Sequence, residues 1–232
     1  MRIYHAIGLY ASTNNSKIRH ISINIFIHMN IKKHFIVILL IMLMIISAWI
    51  INQNKYGSEF KSVLILEKPI QLPEFSLINH KKSPVNKNTF AGQWDLVFFG
   101  FTNCPDICPA TLHTLNQVRQ KLKASDFKKT PRIVLISVDP ERDTPAALTK
   151  YINYFGDQNI AITGDIKELN KLTKALGIFF EKVMNDYDNY TVNHSAAVLL
   201  INPDAEFSAL FSAPHILEDF INDLKKIMDN YS

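Results

Sequence analysis

A mixed α/β sandwich is predicted by three observations. An apolar run over Trp94–Phe101, broken only by Asp95 and Gly100, precedes Leu112, Leu115, Val118 and Leu122 at helical spacing. A second, β-branched run, Arg132–Val138, precedes the helix-start pair Thr144-Pro145, and the same order repeats at Asn159–Thr163 and Asp165. Two last apolar runs, His194–Ile201 and Phe207–Phe211, are joined by Asn202–Glu206, so an antiparallel hairpin and a terminal helix from Pro214 to about Met228 close the chain.

In order along the 232 residues, charge comes first. The net +4 is concentrated at the N-terminus, because residues 1–34 hold Arg2, Lys17, Arg19, Lys32 and Lys33 and no acid. Without those five, 20 bases face 21 acids, and no basic face or aromatic–basic interleaving argues for nucleic acid. Phe35–Ile51 is seventeen residues without a charge, apolar all round. At ~1.5 Å per residue it reaches the short end of a bilayer core. The run exceeds the apolar core of a usual signal peptide and no Ala-x-Ala site follows, which favours an uncleaved single transmembrane helix over 35–51. Lys32 and Lys33 before it keep residues 1–34 in the cytoplasm and put the rest on the far side of the membrane. Met29-Asn30-Ile31-Lys32-Lys33 would make a compact start by itself, so Met29 is a candidate initiator.

Residues 52–70 read as a polar linker with an apolar patch at Val63–Leu66, and 71–232 as the folded domain. Leu72–Leu77 and Val85–Phe90 flank a turn-like Asn79–Ser83, an N-terminal β-hairpin extension ahead of the main sheet. Pro109 lacks a backbone donor and fits the first position of a helix over Pro109–Lys123. Cys108 then stands at or just before the helix N-terminus, and Cys104 in the loop leaving the strand. The positive end of the helix dipole there favours thiolate over thiol. Thr144 caps a helix to about Phe155; Asp165 caps the next, with Glu168 completing a capping box and Gly177 ending it. Phe179–Met184 reads as one more strand. Strands alternating with helices, a closing hairpin, and a cysteine pair at the first strand–helix junction together fit a thioredoxin-like sandwich.

Cys104 and Cys108 are the two cysteines of the chain, and they admit three readings. A structural disulfide would close a five-residue loop worth about 2 kcal/mol, little help to a domain able to bury a real core. Thiol–disulfide exchange would make Cys104 and Cys108 catalytic, although enzymes of this fold usually separate their cysteines by two residues rather than three. A soft-metal site would need a third ligand, and sulfur with imidazole suits Cu(I) or Zn(II). Zinc would want a fourth ligand, which no residue supplies. Of the histidines beyond the N-terminus, His80 and His215 read as exposed and His113 as solvated or half-buried. His194 opens an apolar strand after the irregular Asn185–Asn193, and spacing alone favours a structural role at a strand end.

Phe98–Pro109, Val138-Asp139-Pro140-Glu141-Arg142-Asp143-Thr144-Pro145 and Val192-Asn193-His194-Ser195, in that order, resemble the Sco/SenC family of copper-handling proteins, from about Pro73 to the C-terminus. The resemblance implies copper, Cu(I) with Cu(II) also admitted, held by Cys104, Cys108 and His194. It implies Asp139 close by as a partner rather than a ligand; capping the loop after Arg132–Val138 is the plainer role for that residue. It further implies a membrane-anchored chaperone receiving copper from an unidentified donor, and the lack of a transit-like leader before the apolar run favours the bacterial inner membrane over the mitochondrial one. The recipient would be the binuclear copper centre of cytochrome c oxidase subunit II. The rival roles are a tethered thiol–disulfide oxidoreductase keeping the acceptor's cysteines reduced, and a copper- or redox-sensing interaction protein. A peroxidase of the peroxiredoxin type lacks its Thr-x-x-Cys arrangement. Three positions depart from the family pattern. Asn193 stands where an aspartate is common, Ala205 replaces a hairpin glycine, and Lys81-Lys82 replaces a glycine-containing turn.

Overall fold

The computed structural model describes residues 34–49, 60–184 and 190–231. The chain divides into two units, Met1–Glu59 and Phe60–Ser232. In the first, residues 34–49 form a helix (α1) with exposed side chains. Among the described residues no helix is long and apolar enough to cross a membrane. The last two residues of the 35–51 run, the basic N-terminus and Met29 lie outside the described residues.

The second unit is built on an eight-stranded sheet in the order β1-β10-β9-β4-β5-β6-β2-β3. Its centre is β4 (Asp95–Gly100), β5 (Arg132–Ser137) and β6 (Ile160–Thr163), paired parallel. All six residues of β4 are buried, as expected for a central strand covered on both faces, which is why Leu96–Phe99 reads as a continuous apolar run. The crossovers are α2 (Ile107–Ala124) and α3 (Pro145–Tyr154). Thr144 caps α3 by accepting from the Ala147 N–H, with Pro145 at the first position as expected. Beyond β6, α4 (Ile166–Ala175) leads to a separate two-stranded ribbon, β7 (Phe180–Met184) with β8 (Tyr190–His194). The chain returns through β9 (Val198–Ile201), antiparallel to β4, then β10 (Glu206–Phe211) and α5 (Leu217–Asp229).

Several expectations are corrected. Val63–Gln71, all but its last residue in the stretch read as a linker, is strand β1, paired with β10 at the sheet edge. Its Glu67, Lys68 and Pro69 hid it, since charge and proline are what an exposed edge carries. The early hairpin exists as β2 (Leu77–Asn79) with β3 (Pro84–Val85), but β2 also pairs with β6, so it extends the main sheet. Lys87–Phe90 is a 3-10 turn. Helix α2 starts two residues before Pro109, which occupies its third position; no donor is lost, because none of the first three N–H groups has a partner within a helix. Glu168 completes no capping box, for its carboxylate accepts from the Ser76 N–H at 3.0 Å. The His194–Ile201 run divides: His194 ends β8, a corner follows, and Val198 begins β9. Helix α5 starts three residues beyond Pro214, whose carbonyl is taken by the Ile216 N–H in a turn.

Candidate metal centre

Three segments converge at the carboxyl ends of the parallel strands, where open α/β sheets place their sites. The cysteine loop leaves β4, the Val138–Thr144 loop leaves β5, and the corner after His194 enters β9. Because β9 runs antiparallel to β4, with Val198 opposite Phe98, its start lies beside the end of β4 and brings His194 to the cysteines.

The cysteine loop is held from beneath by a buried acid. Asp143 accepts from the Thr102 N–H (3.1 Å), the Thr102 hydroxyl (2.5 Å) and the Ser137 hydroxyl (2.6 Å). Cys108 lies in the first turn of α2, and its N–H points to the Cys104 sulfur at 3.4 Å. That sulfur takes one of the donors a capping side chain would take, and Asp106 at the N-cap makes no side-chain cap bond. Both sulfurs are buried, Cys108 completely. Room for the second one comes from Gly100, where an added Cβ would stand 2.9 Å from Cys108 Sγ and 2.8 Å from the Phe98 ring.

Burial pushes the Cys108 thiol well above its ordinary range, with the hydrogen bond to Cys104 and the charges of Cys104 and Asp143 adding to the rise; a backbone hydrogen bond at Phe101 opposes it. The expectation that the helix end makes it a thiolate is thus corrected. A helix terminus is worth about 0.3–1 kcal/mol, less than the cost of a buried, unpaired sulfur anion.

His194 stands with Nε2 3.3 Å from Cys108 Sγ and Nδ1 3.0 Å from the Ser195 carbonyl. A carbonyl can only accept, so Nδ1 carries the proton and Nε2 presents a lone pair to the sulfur. Phe98 and Phe101 meet the ring edge-on at 5.8 and 5.7 Å. Burial lowers the imidazole pKa, against hydrogen bonds with the Ser195 and Phe99 backbone, and keeps it neutral at pH 7. The two sulfurs and an imidazole nitrogen all lie within 4.8 Å of one another. Two soft sulfurs and a neutral imidazole suit Cu(I); hard oxygen-seeking cations find no ligand among the three.

The other histidines lie elsewhere. His113 is exposed. His80, expected at the surface, is buried, its Nδ1 accepting from the Ala161 N–H at 3.2 Å as the hairpin docks on β6. His215, also expected exposed, is half-buried and donates from Nε2 to the Ala196 carbonyl at 2.9 Å. Asp139 caps its loop through its carbonyl, which takes the Arg142 and Asp143 N–H groups, while its carboxylate binds Arg142 and the Tyr190 hydroxyl (2.8 Å). Burial and that carboxylate hold the Tyr190 phenol up to about 12, so it stays a donor. The acid bearing on the cysteines is therefore Asp143, four residues further on. Among the departures, Asn193 is exposed on the ribbon, whereas Lys82 (φ 64°) and Ala205 (φ 59°) both adopt the left-handed conformation that glycine would take without strain.

Comparison with known proteins places the chain. Residues 66–229 match the family described as SCO1/SenC. A "Putative copper-binding protein" of Stutzerimonas stutzeri is 36% identical over 169 residues, 73% of this chain and 82% of that one. "Protein SCO2 homolog, mitochondrial" of Mus musculus is 36% identical over 183 residues, 77% of this chain and 72% of that one. Among solved structures, Arabidopsis thaliana ScoI with copper bound superposes with a TM-score of 0.66 at 30% identity, covering 69% of this chain and 99% of that one.

Proposed function

The chain belongs to the SCO1/SenC family, and from that premise we propose that it is a copper chaperone carrying Cu(I) between Cys104, Cys108 and His194. The observation that carries the reading is the donor set itself: two sulfurs and an imidazole nitrogen within 4.8 Å, the nitrogen already in the tautomer that offers a lone pair.

The protein's part begins with a proton. Cys108 rests as a buried thiol directed at His194 Nε2, so loading requires that proton to leave, and copper uptake releases acid into solution. Once charged, the sulfur is balanced by the metal rather than by water. Three protein donors leave room for an incoming thiolate or imidazole to join the ion before one of them departs, which is how ligand exchange hands over cargo. The acceptor in this reading is the binuclear copper centre of cytochrome c oxidase subunit II, and the donor is a further, unidentified carrier. Tethering through the apolar run over 35–51, with the domain on the non-cytoplasmic face, belongs to the same reading because Lys32 and Lys33 precede that run.

Thiol–disulfide exchange through Cys104 and Cys108 is the second reading, favoured by the closeness of the two sulfurs, which lie within 4.8 Å of one another. His194 separates the two. The full-length chain, reduced and anaerobic in detergent, is expected to hold about one copper against a competing chelator, with Cys104→Ser and His194→Ala losing it or binding far more weakly. A wild type that holds none, yet reduces a disulfide substrate equally well without His194, would overturn the copper reading.

A further inference from the structure

The β7–β8 ribbon is the arm that carries His194, and apolar packing holds it only lightly. Of its described residues Val192 alone is buried. A cavity of about 480 Å³ opens between the ribbon, the Val138–Glu141 loop and α4, lined by Phe180, Val192 and Ile166 among others. On a strand, alternate residues share a face, so Tyr190, Val192 and His194 point the same way. Val192 is the buried member, His194 meets the sulfurs, and Tyr190 meets the β5 loop.

The polar contacts at Tyr190 gather on that loop. Its hydroxyl donates to Asp139 at 2.8 Å. The Arg142 guanidinium donates from Nε to Asp139 and from Nη1 to the Tyr190 carbonyl at 2.9 Å, and lies 3.7 Å over the Tyr190 ring. From the other strand, Lys182 sits 4.2 Å over the same ring and pairs with Glu141 at 2.7 Å. The same loop supplies Asp143, which holds Thr102 of the cysteine loop. One segment thus grips both halves of the metal centre, by different residues.

We infer that the Asp139–Arg142–Tyr190 clamp is a positioning device for His194. It sets where the ribbon stands, and so where the imidazole stands against the sulfurs. Opening it withdraws the nitrogen donor and leaves both sulfurs in place. Tyr190 lies four residues from His194, roughly 13 Å along a strand, so it acts through the ribbon and not on the ion. This inference deepens the copper reading and, for its loaded-state arm, rests on it.

The test uses the full-length chain in detergent, with Tyr190→Phe, Tyr190→Ala, His194→Ala and the Tyr190→Ala/His194→Ala double variant. In the metal-free protein, Tyr190→Ala is expected to speed amide hydrogen exchange in the ribbon about tenfold or more, while β4 and β5 exchange as in wild type. Cu(I) retention against a chromogenic chelator should fall about 10–100-fold. Tyr190→Phe, which keeps the ring beneath Arg142, should lie between. The discriminating reading is the cycle: with His194 already gone, Tyr190→Ala should cost nothing further, because the clamp acts through that imidazole. An equal further loss in the His194→Ala background would overturn the inference, as would unchanged retention in a chain whose ribbon exchanges faster. If the wild type holds no copper, the copper reading fails by itself, and ribbon exchange still decides the clamp: unaltered protection in Tyr190→Ala overturns it.

Discussion

The sulfur side and the nitrogen side of the candidate centre are built by different physics. Cys104 and Cys108 sit where β4 turns into α2, with Cys108 fully buried and Gly100, Phe98 and Leu135 packed around the second sulfur's site. His194 sits on a ribbon whose residues, Val192 excepted, are exposed or half-buried, and which holds the domain through Val192, Phe180 and Tyr190 against the core and through hydrogen bonds, ion pairs and a stacked guanidinium. Core packing is dense and changes little without disrupting the fold, whereas polar contacts at a surface can exchange with water. The lesson is a division of labour. The two sulfurs of the candidate centre are fixed in the core, and the imidazole stands on a ribbon of which Val192 alone is buried.

Gly100→Ala is the largest break in that comparison. The new Cβ would meet Cys108 Sγ and the Phe98 ring inside 3 Å, and both neighbours are fully buried. Relief must come from moving the sulfur or the strand, and the domain is expected to lose about 1–3 kcal/mol in urea unfolding. Cu(I) retention should weaken with it even though every ligand is present. Stability equal to wild type would mean that the sulfur side is looser than its packing implies.

Acid sharpens the comparison from the other side. Burial lowers the pKa of His80, His194 and His215 below the ordinary 6.5. An unfolded chain takes up protons on these rings below about pH 6.5 that the folded chain refuses. Their contribution is therefore complete above about 6.5 and lost as pH falls through the lowered folded values. Asp95, held up to about 6 by burial, moves the total the other way as pH falls, so the imidazole's part is read as a difference: the urea midpoint of the metal-free wild type, taken relative to His194→Ala, should decline from pH 7 to 5. A difference that stays level across that range would mean that His194 is not held neutral by its surroundings.

The smallest effect is a control remote from both sides. Ala205 holds φ 59° in the turn between β9 and β10. Ala205→Gly relieves the left-handed strain but adds unfolded-state entropy, a net gain of about 1 kcal/mol or less, with copper retention unchanged. A drop in unfolding midpoint would show that the buried methyl matters more than the backbone.

What could be read from the sequence follows the same division. The thioredoxin-like core, its strand–helix order and the cysteine junction were legible, because burial on both faces writes apolar runs and helix starts carry Thr144, Pro145 and Asp165. The ribbon was not. Tyr190–His194 alternates too weakly to mark a strand, and the apolar signal of Val198–Ile201 drew His194 into the wrong element. Strand β1 was hidden by Glu67, Lys68 and Pro69. Asp143 was overshadowed by Asp139, since two acids four apart in one loop look alike until one is seen to bind Thr102 and Ser137. Placing His194 among the ligands came from the resemblance of its motif, for spacing alone favoured a structural histidine.

Gly100 also bears on whether this site can be moved. A designer transplanting Cys-x-x-x-Cys and a distant histidine onto another α/β scaffold would copy the side chains that bind and overlook the one that is missing. The hollow beside β4 that admits the Cys108 sulfur has the size of a methyl group and belongs to no ligand. A recipient scaffold with alanine or valine at that strand position would carry the full motif and still hold its second sulfur out of reach. The smallest portable unit of the centre is therefore a shape as well as a set of donors, and its glycine has to travel with it.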